Sequence, residues 1–454
     1  MRTALLFLAA WATAAPAAPL PVADGYHGIW YFNQPTMDEY VYKYSGGLAT
    51  YPHQQSPIAM YAKAVDRTFF CYGGAPPGKQ DLLYIVSYYD HKTGSVPKPR
   101  ILMRKGTEDA HDNPVLTIDG DGYLWIFGNS HGTARPSPIF RSRKPYSIEE
   151  FDKIWEGNFS YGHARWLPAT GFFFLHTRYE NKGRSLYWMT SPDGGNWSEP
   201  HLLARAELGH YQITAHRGSR VATAFNYHPD PQGLNYRSNL YYLETPDAGR
   251  TWRTAAGDRV SIPVTSADNP ALVYNSRADG LLVFLKNLDF DAEGRPVILY
   301  LTTKGWEPGP RHGPRQWWTA RWDGARWVIL PFTTSDHNYD SGTLSIEPDG
   351  EWRIVAPTDP GPQPYTTGGD MVLWSSHDRG RNWKRLRRLT RAAAHNHTYA
   401  RKPVGARPDF YWLWADGDTL KPSDSYLYFA TRDGDVFQLP PVMKSETARP
   451  ARLR

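Results

Sequence analysis

Thr245-Pro-Asp-Ala-Gly-Arg-Thr-Trp252 and Ser376-His-Asp-Arg-Gly-Arg-Asn-Trp383 share the pattern Ser/Thr-x-Asp-x-Gly-x-x-Trp, and Ser191-Pro-Asp-Gly-Gly-Asn-Trp197 is a version shortened by one residue. Each copy lies between strand-like runs, so it predicts a turn that joins two neighbouring strands. We expect the Asp carboxylate to cap the turn, the Gly to adopt a positive φ angle, and the Trp to pack beneath. A recurring turn of this kind indicates a repeated β architecture.

These segments resemble the Asp-box, a hairpin-turn motif typical of β-propellers that is also called the BNR repeat. In chain order, the boxes at Asp193 and Asp247 are spaced by about one blade, and the gap from there to Asp378 fits two or three blades. At roughly 50–60 residues per four-stranded blade, the chain has room for seven or eight blades. We predict an all-β fold, a single seven-bladed β-propeller that occupies residues 19–454. Because Asp-boxes lie away from the active face, we assign them no catalytic role.

Short strand-like runs separated by Gly, Asp, Asn and Pro dominate the rest of the chain. The clearest of them are Leu82–Tyr89, Gly171–Thr177, Ser185–Thr190, Asn239–Glu244, Leu281–Leu288, Val297–Thr302 and Tyr426–Thr431. Ser147–Trp155 is the one segment whose pattern predicts a short helix. The run Asp-Val-Phe-Gln-Leu-Pro (435–440) is predicted to supply a closing strand next to the N-terminal segment.

The start of the chain predicts a secretory leader. Met1-Arg2 is followed by the apolar run Ala4–Trp11 and then by small residues, which is the pattern of a signal peptide over residues 1–18. We therefore expect a secreted or periplasmic protein, and no later run has the length of a membrane span. Cys71 is the only cysteine, so no internal disulfide can form, and its strand-like surroundings predict a buried, inert thiol.

Composition narrows the class of partner. The formal net charge is +6, and the chain holds 18 Trp and 29 Tyr. A basic, aromatic-rich protein outside the cytoplasm fits an acidic polysaccharide, because cations attract its carboxylates and rings stack on sugars. The absence of a basic run with a recognised binding motif argues against nucleic acid. We expect the protein to be a monomer.

Two histidines stand at the ends of one predicted hairpin. Asp-Ala-His-Asp-Asn-Pro (109–114) precedes the strand-like run Val115–Phe127, and Asn-Ser-His-Gly (129–132) follows it. The turn Asp119-Gly-Asp-Gly122 is a strong connector of two strands, so the hairpin should bring His111 and His131 together at one sheet edge. Paired imidazoles beside carboxylates suit proton transfer near neutral pH.

The chain also resembles, over nearly its whole length, the BNR-repeat propellers that include the ulvan lyases and the L-rhamnose–α-1,4–D-glucuronate lyases, with a related group of rhamnosidases. The matching segments are 26–31, 43–48, 88–91, 109–114, 130–132, 176–179, 209–212, 338–342, 356–358, 361–365, 396–399 and 414–417. The resemblance implies an active site in the central funnel of the propeller. It also implies β-elimination at a 4-linked glucuronate, which leaves an unsaturated uronate.

The same resemblance suggests which residues form the site. The family's paired histidines carry over onto His111 and His131, and its catalytic tyrosine carries over onto Tyr211 in Gly-His-Tyr-Gln. Its carboxylate-binding arginine carries over onto Arg237, with Arg178 as a second candidate. His210, the neighbour of the tyrosine, is predicted to support the site from behind and to contribute to substrate binding.

Elimination at a uronate requires three functions. A cation must neutralise the carboxylate, a base must remove the C5 proton, and an acid must protonate the departing O4. His131 or Tyr211 could be the base, and Tyr211 could be the acid if an adjacent arginine lowers its pKa. His111 and Arg237 would then hold the carboxylate, although these roles are interchangeable on the sequence alone.

No cofactor is needed for this chemistry. The resemblance nevertheless implies a bound cation near the propeller axis, and a structural calcium is our expectation there. His397 and Asp340 lie in family motifs that would face the axis, so His397 is the candidate metal ligand. No spacing of an EF-hand type occurs in the chain.

Two other functions remain open. A propeller glycoside hydrolase, such as an α-L-rhamnosidase acting on rhamnose-glucuronate, could use Asp109 and Asp112 as a carboxylate pair. The related rhamnosidases use a histidine on the opposite face, and His53 lies near where that residue would fall. A non-catalytic carbohydrate-binding propeller would need only the aromatic surface. Whether cleavage would be endo on ulvan or exo on rhamnose caps is also open.

Overall fold

The computed structural model describes residues 19–48, 54–180, 183–391 and 394–453. These residues form 34 β-strands, and the 3-10 helices that lie wholly within them are the single turns Ala110–Asp112 and Pro310–His312. The all-β class predicted from the sequence is therefore confirmed. Among the described residues, no helix has the length and apolar character that crossing a membrane requires. The predicted leader, residues 1–18, lies outside the described residues.

The N-terminal part contributes a blade-like unit and a separate hairpin. Its strands are β1 His27–Gly28, β2 Trp30–Pro35, β3 Tyr42–Gly47, β4 Ala59–Ala62, β5 Arg67–Gly74, β6 Leu83–Asp90, β7 Val96–Pro97 and β8 Arg100–Arg104. Strands β4, β5, β6 and β8 pair in that order, all antiparallel. Strands β2 and β3 pair only with each other, in a two-stranded sheet.

Five four-stranded sheets follow, each built from four consecutive strands. The first two contain β9 Pro114–Ile118, β10 Leu124–Gly128, β11 Ser137–Ser142, β12 Phe151–Gly157, β13 Ser160–Leu167, β14 Gly171–Glu180, β15 Gly183–Ser191 and β16 His201–Ala204. The next three contain β17 Gln212–Arg217, β18 Arg220–Tyr227, β19 Ser238–Thr245, β20 Leu272–Tyr274, β21 Leu282–Phe290, β22 Pro296–Thr303, β23 Arg315–Trp322, β24 Trp327–Ser335, β25 Thr343–Ile346, β26 Trp352–Asp359, β27 Asp370–Ser376 and β28 Lys384–Arg388. Every strand pairs with the next one along the chain, which requires only short hairpin connections.

The C-terminal strands return to the N-terminal ones. They are β29 Asn396–Arg401, β30 Trp412–Gly417, β31 Ser425–Ala430, β32 Val436–Gln438, β33 Thr447–Ala448 and β34 Ala451–Arg452. Strand β1 pairs with β31 on one side and with β5 on the other, so one ten-stranded sheet joins the two ends of the chain. The predicted closing segment contains β32, and its end lies beside the N-terminal segment, because the amide of Tyr26 donates to the carbonyl of Pro440.

The core lies between neighbouring sheets and is rich in aromatic side chains. One cluster packs Trp125 and Phe127 of β10 against Phe172 and Phe174 of β14, so it joins two successive sheets. Because side chains alternate along a strand, each sheet buries one face against each neighbour. Cys71 is buried with no disulfide partner, as predicted, and burial raises the pKa of its thiol.

The Asp-box turns have the structure that their sequence predicts. Asp247 accepts hydrogen bonds from the amide and hydroxyl of Thr251, and Trp252 is buried in the core. Gly249 has a φ of 89°, and a Cβ atom there would lie 2.1 Å from the Trp188 indole nitrogen in the preceding sheet. The box therefore fixes a tight turn and lets it approach the neighbouring sheet closely.

The short helix predicted at Ser147–Trp155 is wrong. The structure instead forms β12, which pairs along its length with β11. Side chains on β12 are mostly partly exposed, so the segment carries no strong apolar pattern of its own. Its conformation is determined by the hydrogen bonds that the exposed edge of β11 offers, and tertiary pairing here overrides local propensity. The seven strand segments predicted from the sequence all overlap strands.

Candidate active site

The hairpin of β9 and β10 brings the two predicted histidines together. Leu124 pairs with Ile118 at the turn and Gly128 pairs with Pro114 at the open end, so residues just outside the two strands become neighbours. The imidazole rings of His111 and His131 stack with centroids 4.1 Å apart and an interplanar angle of 24°. The prediction that this hairpin places two imidazoles side by side is confirmed.

Asp109 connects the two rings. Its Oδ1 atom lies 2.6 Å from Nδ1 of His111, and its Oδ2 atom lies 2.7 Å from Nδ1 of His131. The same residue caps the 3-10 helix that carries His111, because Oδ1 also accepts the His111 amide. Burial alone would raise the pKa of Asp109, but the two histidines outweigh it and hold that pKa far below its ordinary value. A carboxylate only accepts, so both Nδ1 atoms donate to it.

The two imidazoles have different environments. His111 is buried, and burial together with the neighbouring His131 lowers its pKa to about 4, so it is neutral near pH 7. With Nδ1 protonated, its Nε2 atom accepts a hydrogen bond from the Tyr44 hydroxyl at 2.9 Å. The His131 side chain is 31% exposed. His131 therefore presents Nε2 to a substrate, whereas both nitrogens of His111 are occupied by protein groups.

Asp112 does not face the substrate side. Its carboxylate is fully buried and accepts from Nε of Arg135 at 2.7 Å and from the backbone amide of His131 at 2.6 Å. Asp112 thus holds the loop that carries His131, and its negative charge is balanced by Arg135. The carboxylate pair that a hydrolase would need, Asp109 and Asp112, is committed to these internal contacts.

A cluster of arginine and tyrosine side chains lies beside the histidines. The guanidinium of Arg184 lies 4.0 Å from the Tyr211 ring centroid, and that of Arg237 lies 4.7 Å from it. The Tyr161 ring lies edge-on to Tyr211 at 5.4 Å and is also 6.1 Å from the His111 ring. These contacts connect the predicted residues Tyr211 and Arg237 to the histidine pair.

The pKa of Tyr211 is raised, contrary to the prediction that an adjacent arginine would lower it. The side chain is buried, and this burial raises its pKa far above the ordinary value although Arg237 acts in the opposite direction. Desolvation of the phenolate outweighs the nearby cation. Tyr211 is therefore protonated near neutral pH, which suits a proton donor and not a base.

The cluster also contains three residues that the sequence did not predict as site residues, namely Arg184, Tyr44 and Lys43. Arg184 donates to the Tyr179 hydroxyl at 3.1 Å, and Lys43 donates to Asn235 at 2.5 Å. Burial, then Arg237 and Arg184, lower the pKa of Lys43 well below its ordinary value. Among the salt bridges of the described residues, none involves Arg184 or Lys43, so neither side chain is paired with a carboxylate there.

An aromatic cleft of about 410 Å³ opens next to Asp109. Its walls include Trp30, Tyr31 and Phe32 of β2. Tyr31 also lies edge-on to His111 at 5.3 Å, so the cleft leads directly to the histidine pair. Flat aromatic faces next to polar groups are suited to sugar rings, which present apolar C–H faces and polar hydroxyl edges.

Comparison with known proteins identifies the family. The family model described as BNR repeat-containing family member matches residues 71–334, which is more than half of the chain. The chain belongs to the BNR repeat-containing family. This assignment agrees with the Asp-box turns and with the resemblance seen in the sequence.

Curated relatives of this BNR-repeat chain include three ulvan lyases. The enzyme of Alteromonas sp. (strain LOR) is 23% identical over 436 residues, covering 84% of this chain and 84% of the relative. The enzyme of Nonlabens ulvanivorans is 24% identical over 322 residues, covering 62% of this chain. That match spans 65% of the length of the Nonlabens protein.

Solved structures share the fold. A PL25 ulvan lyase superposes with a TM-score of 0.69 at 18% identity, covering 92% of this chain and 95% of that one. The same score and coverage apply to a PL25 ulvan lyase bound to -[GlcA(1-4)Rha3S]-. Polysaccharide lyase Uly1 gives a TM-score of 0.63 at 11% identity, covering 91% of this chain. The architecture of this BNR-repeat chain is therefore that of these proteins.

Two predicted residues lie apart from the cluster in this BNR-repeat fold. The guanidinium of Arg178 lies 5.5 Å from the Tyr187 ring, and its strand neighbour Tyr179 is the residue that reaches Arg184. Adjacent strand residues point to opposite faces, so Arg178 faces away from Tyr179. His210 is buried, with Nε2 accepting the Ala206 amide and Nδ1 donating to the Asn226 carbonyl. Both of its nitrogens are therefore used in positioning the loop before Tyr211.

The structure groups a different set of candidate metal ligands from the one predicted from the sequence. Among the described residues of this BNR-repeat protein, the group with metal-ligand spacing is Asp109, His111 and His131. Calcium prefers oxygen ligands, and here both facing nitrogens already donate to the carboxylate, so this group does not fit calcium. His397 accepts from the Trp414 indole at 3.1 Å and lies outside that group. A structural calcium stays a prediction, and His53 lies outside the described residues.

Proposed function

We propose that this protein is a polysaccharide lyase that cleaves the L-rhamnose-(1→4)-D-glucuronate linkage by β-elimination and leaves an unsaturated uronate. The observation that carries the proposal is the pairing of a half-exposed histidine, His131, with a buried cationic cluster around Tyr211. A base beside a cationic pocket is the arrangement that proton removal next to a carboxylate requires. The curated ulvan lyase relatives support the same reaction class.

We further propose that the strands are the blades of a seven-bladed propeller. Five blades would be the separate four-stranded sheets. The remaining two would be β4-β5-β6-β8 and β29-β30-β31-β32, which β1 joins within the ten-stranded sheet. In a propeller the first strands of the blades line the axis, and residues next to several of them form the candidate site.

In the proposed reaction the cationic cluster binds the substrate carboxylate. Arg184 and Arg237 flank Tyr211, and their forked guanidinium groups match a carboxylate in geometry and charge. When the C5 proton leaves, negative charge spreads onto this carboxylate. Donors that are already in place stabilise that charge without reorganisation, so they lower the barrier more than they strengthen ground-state binding.

His131 is the proposed base. Asp109 fixes its Nδ1 as a donor, which leaves the Nε2 lone pair to accept the C5 proton. The imidazolium that forms is stabilised by the Asp109 carboxylate already in contact with it. His111 keeps this carboxylate in place, and it stays neutral because burial and then His131 lower its pKa to about 4.

Tyr211 is the proposed acid. Its pKa is raised by burial, so the hydroxyl proton is present when the substrate binds. The C5–H electron pair forms the C4=C5 double bond while the C4–O4 bond breaks, and the phenol proton goes to O4. The phenolate that remains lies between two arginines and regains a proton from solvent or from His131 after product leaves.

The decisive experiment measures the two products of cleavage together. Wild-type protein acting on ulvan and on rhamnose-capped arabinogalactan should release new reducing ends together with the absorbance of a conjugated uronate. His131→Gln should lower kcat by about 10²- to 10⁴-fold. His377→Gln is the matched control, since the His377 side chain is 78% exposed and lies in a turn.

Each alternative gives a different result. Cleavage without the conjugated chromophore would identify a hydrolase. Binding without cleavage on either substrate would identify a carbohydrate-binding propeller. Wild-type turnover in His131→Gln would show that the proton acceptor lies elsewhere.

A further inference from the structure

A second cavity, of about 220 Å³, lies along the inner strands of the sheets. The strands that line it also lead to the candidate active site: Tyr161 contacts that site, and Arg165 on the same strand lines the cavity. Residues from five of the first strands contribute to its wall, namely Arg165 of β13, Thr214 of β17, Lys286 of β21, Thr343 of β25 and Arg401 of β29. The cavity is thus a separate space on the axis of the molecule.

Arg165 and Arg401 are buried in the wall of this cavity. Arg165 donates from Nη2 to the hydroxyls of Ser56 and Thr214, each at 3.0 Å, and Arg401 donates from Nη1 to the Ala400 carbonyl at 3.1 Å. Within the described ranges, Nε of Arg165 and Nη2 of Arg401 donate no hydrogen bond. Neither arginine takes part in a salt bridge with a described residue. Buried guanidinium groups with free donors are costly unless an acceptor is present.

The remaining charges do not balance the two arginines. Lys286 donates to the Asn338 carbonyl and is attracted by Asp340, outside the cavity wall. The carboxylate of the wall, Asp289, accepts the Ile346 amide and is attracted by Lys402. His163 adds no further positive charge, because burial and then Arg165 and Arg401 lower its pKa well below the ordinary value. The cavity therefore has an excess of positive charge.

We propose that this axial cavity binds one compact inorganic oxyanion, sulfate or phosphate, between Arg165 and Arg401. A tetrahedral oxyanion offers acceptors in several directions at once, so it can take the free donors of both guanidinium groups. Water in the same space could accept these bonds but would leave two buried positive charges uncompensated. The bound anion would link β13, β17 and β29, three of the inner strands that surround the axis.

The first test measures binding directly on the whole folded protein. Equilibrium dialysis with labelled sulfate, repeated with labelled phosphate, should show saturable binding of about one ion per chain at constant ionic strength. Chloride is the competitor that controls for simple charge screening. Glucuronate is a second competitor, because a sugar carboxylate is the other source of an oxyanion.

Variants then locate the site. Arg401→Gln and Arg165→Gln should each abolish stoichiometric binding, and Arg401→Lys should weaken it about tenfold, because a lysine keeps the charge and loses the fork. Arg326→Gln is the control, since the Arg326 side chain is 83% exposed. In the wild type, sulfate should also raise the thermal midpoint more than an isoionic chloride solution does, and this difference should disappear in Arg401→Gln.

Three results would overturn the proposal. The first is a folded wild-type protein that binds neither sulfate nor phosphate with saturation. The second is equal binding by the wild type and Arg401→Lys or Arg401→Gln. The third is complete displacement of sulfate by an equal concentration of glucuronate, which would make the cavity a sugar site.

Discussion

A single carboxylate, Asp109, organises the candidate site at the residue scale. It caps the helical turn of His111, accepts from both imidazoles and so fixes both tautomers. The two rings stack at 4.1 Å, and the Asp109 carboxylate contacts Nδ1 of both. Asp109 acts through His131 and is a positioning residue.

Asp109→Asn should lower kcat by about 10²-fold or more while leaving KM nearly unchanged. An amide can accept one Nδ1–H but cannot stabilise the imidazolium, so the tautomer and the basicity of His131 are both lost. The measurement is the pH profile of kcat, whose limb assigned to the base should move to lower pH. Asp121→Asn, at the exposed turn of the same hairpin, is the control. An unshifted pH limb would mean that Asp109 has only a structural role.

Arg184 and Arg178 form a matched pair for testing carboxylate binding. Arg184→Lys should lower kcat/KM by about tenfold to a hundredfold, because bonds to a charged group contribute about 1.5–3 kcal/mol and lysine cannot make the forked contact. Arg178→Lys should change kcat/KM by less than about twofold, since its guanidinium packs on Tyr187. Steady-state kinetics on the same uronate substrate decide between them. Equal effects would contradict the placement of the cationic cluster.

The sequence was sufficient to predict the histidine pair and insufficient to predict its partners. His111 and His131 are joined by one local hairpin, so turn chemistry alone brings them together. Arg184 and Tyr44 come from distant strands, and the family segment 43–48 that contains Tyr44 gives no sign that it reaches the histidines. Their proximity depends on how the sheets are arranged around the axis, which local patterns do not encode.

At the element scale, the Asp-box glycine Gly249 and the glycine of the following turn, Gly257, separate two physical effects. Gly249 and Gly257 have φ angles of 89° and 90°, but only at Gly249 would a Cβ atom meet another group, the Trp188 indole. Gly257→Ala should cost about 1–2 kcal/mol from backbone strain. Gly249→Ala should cost about 1–3 kcal/mol more, from overpacking between sheets.

Urea unfolding of the two glycine variants measures this difference. Turnover should be unchanged in both, because neither glycine lies in the candidate site. Equal destabilisation would show that the box does not press against the preceding sheet. The conformation of an Asp-box is determined by its own residues. The segment Ser147–Trp155 differs, because β12 forms through its pairing with β11.

At the scale of the whole molecule, buried histidines couple stability to pH. Burial lowers the pKa of His111 and His210 to about 4, and that of His176 to about 3. The unfolded chain binds these protons near pH 6.5, whereas the folded chain does not bind them until pH falls to about 4. The stability of the folded state that depends on these neutral histidines is therefore fully present above pH 6.5 and is lost as pH falls toward 4.

We expect the free energy of unfolding to drop by about 2 kcal/mol or more between pH 7 and pH 5. Denaturant titrations across this range provide the measurement. His176→Phe should make the slope shallower, because the His176 ring stacks on Phe174 at 5.0 Å and a phenyl ring can replace it without titrating. A slope that does not change in this variant would mean that His176 is charged in the folded state.

Metal removal provides a further test of the complete protein. Dialysis against EDTA should leave kcat unchanged, because the proposed base, acid and carboxylate-binding groups are all side chains of the chain itself. If the predicted structural calcium is present, EDTA should lower the thermal midpoint and added calcium should restore it. A loss of turnover at a temperature where the protein stays folded would contradict the proposed chemistry.

The pairing of β1 with β31 and β5 has a consequence for how the chain is made. His27 lies opposite Tyr426, so residues about 400 positions apart must meet before the ten-stranded sheet is complete. Contacts between residues so far apart in sequence form slowly and late, because closing the long loop costs conformational entropy before the strand pairing can stabilise the fold. During synthesis the edge of β1 that pairs with β31 stays unpaired until β31 has been made. A chain truncated before β31 would keep that edge open, and self-association, not simple loss of activity, would be its characteristic failure.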